Sequence, residues 1–264
     1  MAQPTHWTRA HSWALLFLVA GVILVGLLLT RVALAWAWGI NLILFLLFTS
    51  IAGHGITGLW RGLFIDERNK ISLSRFQMIL WTVVVLSAYL TAALYNIRWN
   101  PTGDPLGIAI PYQLWILMGI STTSLVGSPL IKTTKKQRPA AEGERQETLS
   151  LLKKEGFAEQ QVRTTGQLVL NADPQFSRWS EMFKGEETGT AAHLDLAKIQ
   201  MFYFTIVLVI AYAALIGAGF ADTTTRVSSL PSLDSSILAL LGISHAGYLT
   251  HKAIPLSDSG NRPA

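Results

Sequence analysis

The feature that most constrains this chain is a set of long apolar runs with no charge in their interiors. Six windows stand out, at roughly 13–29, 32–59, 76–97, 112–131, 199–221 and 235–251. Runs approaching 20 apolar residues are long enough to cross the hydrocarbon of a bilayer as helices. The sixth window is short and carries Ser244 and His245, so hydropathy alone does not identify it. The fold class expected is all-α: a polytopic membrane protein of six transmembrane helices arranged as helical hairpins.

The basic residues orient these spans. With the N-terminus inside, cytoplasmic segments carry 18 of the 21 Lys and Arg, and only Arg31, Arg98 and Arg226 fall outside. That is the positive-inside bias, and the opposite threading would invert it. The expected location is the plasma (inner) membrane, with both termini cytoplasmic. The net charge of +5 is then accounted for by this bias and by a surface facing anionic lipid, and not by nucleic acid. Arg9, the first apolar run and Ala33-Leu34-Ala35 imitate a cleavable signal, but the run is long and Arg31 interrupts it, so an uncleaved first span is expected. Interfacial aromatic residues fit the same threading: Trp36, Trp38, Trp99, Tyr112 and Trp115 at outer ends, Trp13 and Trp60 at inner ends.

Two segments of the chain nearly coincide. "SLSRFQMILWT" begins at Ser72 and "DLAKIQMFYFT" at Asp195, an offset of 123. Without a gap, Leu73, Gln77, Met78, Thr82, Val84, Ala88 and Tyr89 meet Leu196, Gln200, Met201, Thr205, Val207, Ala211 and Tyr212. The register persists into the next span, where Leu117, Gly119, Ile120 and Ser121 meet Leu240, Gly242, Ile243 and Ser244. Spans 3–4 and 5–6 therefore read as a parallel internal duplication of hairpins entering from the cytoplasm; spans 1–2 are a candidate third copy. At 100° per residue the matching positions share one half of the helix, and 79, 80, 83, 86 and 87 share the other. The matching half is expected to pack on protein and the other to meet lipid.

Each copy starts with a helix cap, Ser72 or Asp195, then a basic anchor for lipid headgroups, Arg75 or Lys198, then a glutamine able to bond across to a neighbouring helix. The second helices carry small residues four apart and several hydroxyls, among them Gly119, Ser121, Thr122, Gly242 and Ser244. They suit either close packing or a polar path. Gly58 and Gly62 read as a GxxxG ridge. His54 and His245 are lone imidazoles inside spans, either bonded to a nearby helix or part of a proton path. The pore or packing candidates are thus Gln77, Thr82, Tyr89, Gly119, Ser121, Thr122, Gln200, Thr205, Tyr212, Gly242, Ser244 and His245.

Residues 133–194 form a cytoplasmic insert. Its start, "KTTKKQRPAAEGERQE", reads as charged and flexible. A short helix over 146–157 stopped at Gly156, a strand over 166–171, and a helix capped by Asp173 with Pro174 at its first position follow. Phe176, Trp179 and Phe183 would share a face of that last helix, lying on the bilayer or docking on the bundle. Glu186, Glu187, His193 and Asp195 match no metal-loop spacing and read as a connector. The domain boundaries expected are an N-terminal hairpin at 1–62, repeat hairpins at 63–132 and 195–254, the insert at 133–194 and a tail at 255–264.

The absence of cysteine excludes disulfides, thiolate metal sites and cysteine nucleophiles. No phosphate loop, carboxylate pair or Ser–His–Asp arrangement is recognisable, so no enzyme activity, cofactor or metal is expected. The functions left are an oligomeric channel or pore for ions or small solutes, and a membrane scaffold recruiting a cytoplasmic partner through residues 133–194. The partners expected are the bilayer, further copies of the chain and such a protein, with no nucleic acid.

Overall fold

A computed structural model describes residues 6–30, 32–99 and 103–253; of residues 120, 121, 123–125, 128, 129 and 251 only the backbone is described. The chain is mostly helical: α1 (Arg9–Leu28), α2 (Leu34–Thr57), α3 (Leu73–Trp99), α4 (Tyr112–Gln137), α5 (Glu142–Lys154), α6 (Leu196–Ala221) and α7 (Ser235–Ala253). One hairpin, β1 (Val162–Thr165) and β2 (Leu168–Asn171), interrupts it. Among the described residues, α1, α2, α3 and α6 are long and apolar enough to cross a membrane, whereas the apolar stretch of α7 is shorter. The helices divide into two compact units.

The first unit comprises Met1–Leu63, Gln77–Gly119 and Phe204–Ala239. Its helices are fastened by neutral polar pairs, as expected where water is scarce. Trp38 Nε1 donates to Ser87 Oγ at 3.2 Å, Asn41 Nδ2 to Thr91 Oγ1 at 2.9 Å, and Gln77 Nε2 to Thr205 Oγ1 at 2.6 Å. Trp38 is therefore buried in the bundle, whereas Trp13, Trp36, Trp60, Trp99, Tyr112 and Trp115 are open, as border aromatics should be. At Gly26 a Cβ would collide with Leu94, so glycine sets the close approach of α1 to α3. The α3–α4 and α6–α7 loops are tied together: Asn96 exchanges two hydrogen bonds with the backbone of Val227, and Ala109 pairs with Ser228 and Leu230. Gly58 is not part of a helical ridge. It is the left-handed cap of α2 (φ 73°), and Gly62 starts a 3₁₀ turn.

The second unit comprises Phe64–Phe76, Ile120–Tyr203 and Leu240–Ala264. The start of the insert is helical, not flexible. α4 continues to Gln137, and α5 begins at Glu142, with Glu142 and Glu144 in its first turn and Lys153 and Lys154 in its last, the charges a helix dipole favours. Gly156 (φ 85°) ends that segment. β1 and β2 pair antiparallel from Val162↔Asn171 to Thr165↔Leu168, turning at Gly166 (φ 56°). Leu152, Phe157, Val162, Val169 and Ala191 form the core beneath. Asp173 does cap a helical turn, accepting from Gln175 N at 2.9 Å, but the segment makes two short 3₁₀ turns, Pro174–Phe176 and Trp179–Phe183, in place of one helix. Trp179 packs on Phe64 and Phe183 on Phe202, so these rings dock on neighbouring segments.

Helix starts keep the 123-residue offset: Leu73 and Leu196, Tyr112 and Ser235. Ser72 N donates to Phe64 O and Asp195 N to Phe183 O, both at 2.8 Å. Asp195 also accepts from Lys198 N at 3.2 Å, as a cap should. Burial does not follow the expected halves. On α3, Ile79, Val83 and Ser87 are as buried as Leu73, Val84 and Ala88, while on α6 Leu196, Gln200, Val207 and Ala211 lie open. The physical reason is that α3 is surrounded: 61% of its apolar window is buried, against 28% for α6.

Candidate functional site

Most of the residues singled out from sequence are spread through the molecule. Gln77 and Thr205 are brought together, both 1% exposed. Tyr89 and Tyr212 each donate to a loop carbonyl, Leu106 O at 3.1 Å and Pro231 O at 3.0 Å, and the Tyr212 ring lies 6.1 Å from that of Trp81. Thr82 and Ser244 are half-buried, and Thr122 and Gln200 exposed. A Cβ built on Gly119 or Gly242 would meet nothing within 4 Å. The Ser121 side chain lies outside the described residues. His245 is buried, and its Nδ1 donates to Leu241 O at 3.0 Å. His54 has a partner: its Nδ1 is 2.9 Å from His11 Nε2, and its ring stacks on Trp60. Arg75 is half-buried, whereas Lys198 is turned inward and buried.

The chemistry gathers in the second unit, around Lys198. One carboxylate oxygen, Glu186 Oε1, receives Lys252 Nζ at 2.8 Å, Lys198 Nζ at 3.1 Å and Arg68 Nη2 at 3.3 Å. Arg68 also reaches Asp66 Oδ2 at 2.8 Å, so its guanidinium bridges two carboxylates. Asp66 takes Lys132 at 2.7 Å, and Lys132 also meets Glu67 at 3.3 Å. Beside these, Lys135 pairs with Glu187, and Lys70 lies 3.9 Å from Glu181. Asp66, Arg68, Lys70, Lys132, Lys135, Glu187, Lys198 and Lys252 are all buried.

Local structure aims these groups. Asp66 opens a tight turn, accepting from the backbone N–H of Arg68 and of Lys70, with Asn69 at φ 58°. Lys132 and Lys135 lie near the C-terminal end of α4 and Lys252 near that of α7, where helix dipoles favour cations. Lys198 is in the first turn of α6. Burial opposes ionisation of Asp66, but Arg68 and Lys132 outweigh it and hold the carboxyl well below the usual carboxylate range. Glu186 is held down likewise by Arg68, Lys198 and Lys252. Burial would also weaken Arg68's proton, yet Asp66 and Glu186 keep it above its ordinary value. At Lys70 burial wins, and its pKa falls to about 8 despite Glu181.

A cavity of about 510 Å³ opens beside the cluster, lined by Lys135, Glu186, Glu187, His193, Lys198 and Lys252 among others. Such a site can lock segments together electrostatically. Glu186 and Glu187 thus engage cations, where the sequence suggested only a connector. The signal available was indirect: basic residues recur near the ends of the apolar runs. Comparison with protein-family models, with curated proteins and with solved structures finds no match.

Proposed function

We propose that this chain is a six-span protein of the plasma (inner) membrane acting as a scaffold, with a folded cytoplasmic head built on the ends of its helices. The observation that carries the reading is the buried network through which Glu186 and Glu187 of the insert hold Arg68, Lys135, Lys198 and Lys252. A loop that only joined two spans would need no such fastening. Spans 3–4 and 5–6 are, in this reading, duplicated hairpins; equal offsets of helix starts and the paired backbone bonds at Ser72 and Asp195 support it. The native chain has no cysteine. Single cysteines placed at Asp104 and at Glu147 therefore test the threading directly: a membrane-impermeant thiol reagent should label the first from outside intact cells and leave the second untouched. Labelling of Glu147→Cys from outside would overturn it.

The second reading is an oligomeric channel. It is favoured by Gly119 and Thr122, which lie open on α4, and by Gly242, whose added Cβ would meet nothing; such a small, hydroxyl-bearing surface could line a path between copies. Conductance in a planar bilayer separates the two. The scaffold reading expects silence across voltage and pH. Discrete currents abolished by Ser121→Leu or Ser244→Leu would establish the channel instead.

A further inference from the structure

Four aromatic rings form a column where the start of α1 meets the end of α2. Between centroids, Trp7 lies 5.7 Å from His11, His11 5.2 Å from His54, and His54 4.5 Å from Trp60. Glycines allow the approach: a Cβ at Gly55 would collide with the Trp7 ring, and His6 packs over Gly58. The two histidines in the middle are half-buried, with His11 Nε2 and His54 Nδ1 2.9 Å apart.

Their partners place the protons of this pair. Thr8 N lies 3.1 Å from His11 Nδ1, and a backbone N–H can only donate. His11 Nδ1 therefore accepts and carries no proton. The neutral ring then holds its proton on Nε2 and donates to His54 Nδ1, which leaves the other proton on His54 Nε2. Thr8 is the N-cap of α1 and His11 its third residue. At that position a Glu or Gln ordinarily reaches back to the N-cap N–H; here a titratable imidazole does so.

One added proton breaks the arrangement. Keeping the bond between the rings needs one proton between Nε2 and Nδ1, so the other two must sit on His11 Nδ1 and His54 Nε2. His11 Nδ1–H then faces Thr8 N–H, donor against donor, and the amide loses its acceptor. Thr8 Oγ1, at 2.8 Å, receives the new proton instead. A second added proton sets N–H against N–H between the rings and parts α1 from α2 there. The surroundings steer the charge toward His54, which lies in the last turn of α2 and stacks on Trp60, whereas the first turn of α1 repels a cation. Among the described residues, neither ring bonds to a carboxylate, a lysine or an arginine. The charges nearest along the chain are Arg9 and Arg61, and the other titratable ring at this end is His6.

We propose that the His11–His54 pair is a proton-controlled latch on the N-terminal segment. At high pH it caps α1 and ties it to α2, with Trp7 seated on Gly55. At low pH the first turn of α1 and Trp7 are released. In the six-span reading this end of the hairpin is cytoplasmic, so the latch senses cytosolic acidity; the proton chemistry itself does not rest on that reading.

The test uses the full chain in a neutral detergent. Hydrogen exchange of residues 6–14, corrected for the intrinsic effect of pH, is followed from about pH 8 to about 5.5, across which histidine titrates. Exchange is expected to speed up about five- to tenfold on acidification, the usual worth of an N-cap, while residues 142–192 stay level. His11→Gln supplies an acceptor for Thr8 N and a donor for His54 that do not titrate. It should keep the protection and abolish its pH dependence, whereas His6→Ala should leave that dependence in place. Nitrogen NMR of isotope-labelled histidine in the native chain needs no variant: at about pH 8 the ring bonded to the Thr8 amide should be protonated on Nε2 alone. Protection that does not change with pH, a dependence that survives His11→Gln or vanishes with His6→Ala, or a proton found on His11 Nδ1 at high pH would each overturn the latch.

Discussion

Asn41 and Glu186 are both polar groups away from water, and the molecule treats them differently. Asn41, in the first unit, has one neutral partner, Thr91, at 2.9 Å. Glu186, in the second, faces three cations. The difference extends through both units: the first is joined by amide, indole and hydroxyl pairs, the second by full charges. Neutral pairs cost little to desolvate, and each contributes little. Ion pairs removed from water are costly to form and worse to break, because the survivor is left charged and alone. The first unit should therefore yield gradually to substitution, and the second abruptly.

Replacing Glu186 tests this most severely. Glu186→Gln leaves Arg68, Lys198 and Lys252 converging on a neutral amide, and a loss of about 3–5 kcal/mol is expected, as when one partner is removed from a buried pair. Thermal unfolding in detergent, with proteolysis of residues 138–195 as the local probe, would show the head failing first. A loss comparable to that of a neutral pair would remove the distinction between the units.

Acid and base should separate the units next. Asp66 and Glu186 have folded-state values below their ordinary ones, so their stabilisation is full above the usual carboxylate range and is lost as pH falls from about 5. Hydrogen exchange should then rise in residues 142–192 before it rises in α2 or α3. Lys70 acts in the same sense at higher pH, though there burial lowers the value by opposing the charged form. Its folded value of about 8 lies below its ordinary 10.5. The unfolded chain binds more protons between those values, so stability climbs with pH across that window. Lys252, also lowered to about 8 by burial, contributes the same climb, so Lys70→Met should reduce it and leave the Lys252 part, as unfolding midpoints at pH 7.5 and 10 would show.

The smallest effect belongs to the first unit. Gln77→Leu removes the bond to Thr205, and a loss of about 0.5–1.5 kcal/mol is expected. A loss as large as that at Glu186, in the same unfolding assay, would mean that Gln77 does more than fasten α3 to α6.

What could be read in advance follows the range of the forces. Apolar length marks α1, α2, α3 and α6, because crossing a membrane is a property of one segment at a time. Gly156, β2 and the Asp173 cap were legible for the same local reason. β1 was missed because "VRTT" does not alternate, and it becomes a strand only against β2. The 174–183 stretch has helical spacing of its aromatics, yet docking of Trp179 and Phe183 on Phe64 and Phe202 accompanies two tighter turns. The charge cluster was beyond reach, since Asp66, Lys132, Glu186 and Lys252 come from four separate segments and each alone resembles an ordinary solvated charge. Gln77 and Gln200 look equivalent in sequence, but one is enclosed and the other open, because neighbours decide burial.

The Arg68 bridge also carries a consequence for synthesis. Asp66 and Lys132 are 66 residues apart, and so are Glu186 and Lys252. As the chain leaves the ribosome, Arg68 and Lys132 can satisfy Asp66 early, but Glu186 lacks Lys252 until α7 has emerged. The cluster is then completed only once α7 has been made. A nascent or truncated chain lacking α7 would carry an unfinished cluster, open to quality-control proteases, so closure of this cluster reports that translation has passed α7.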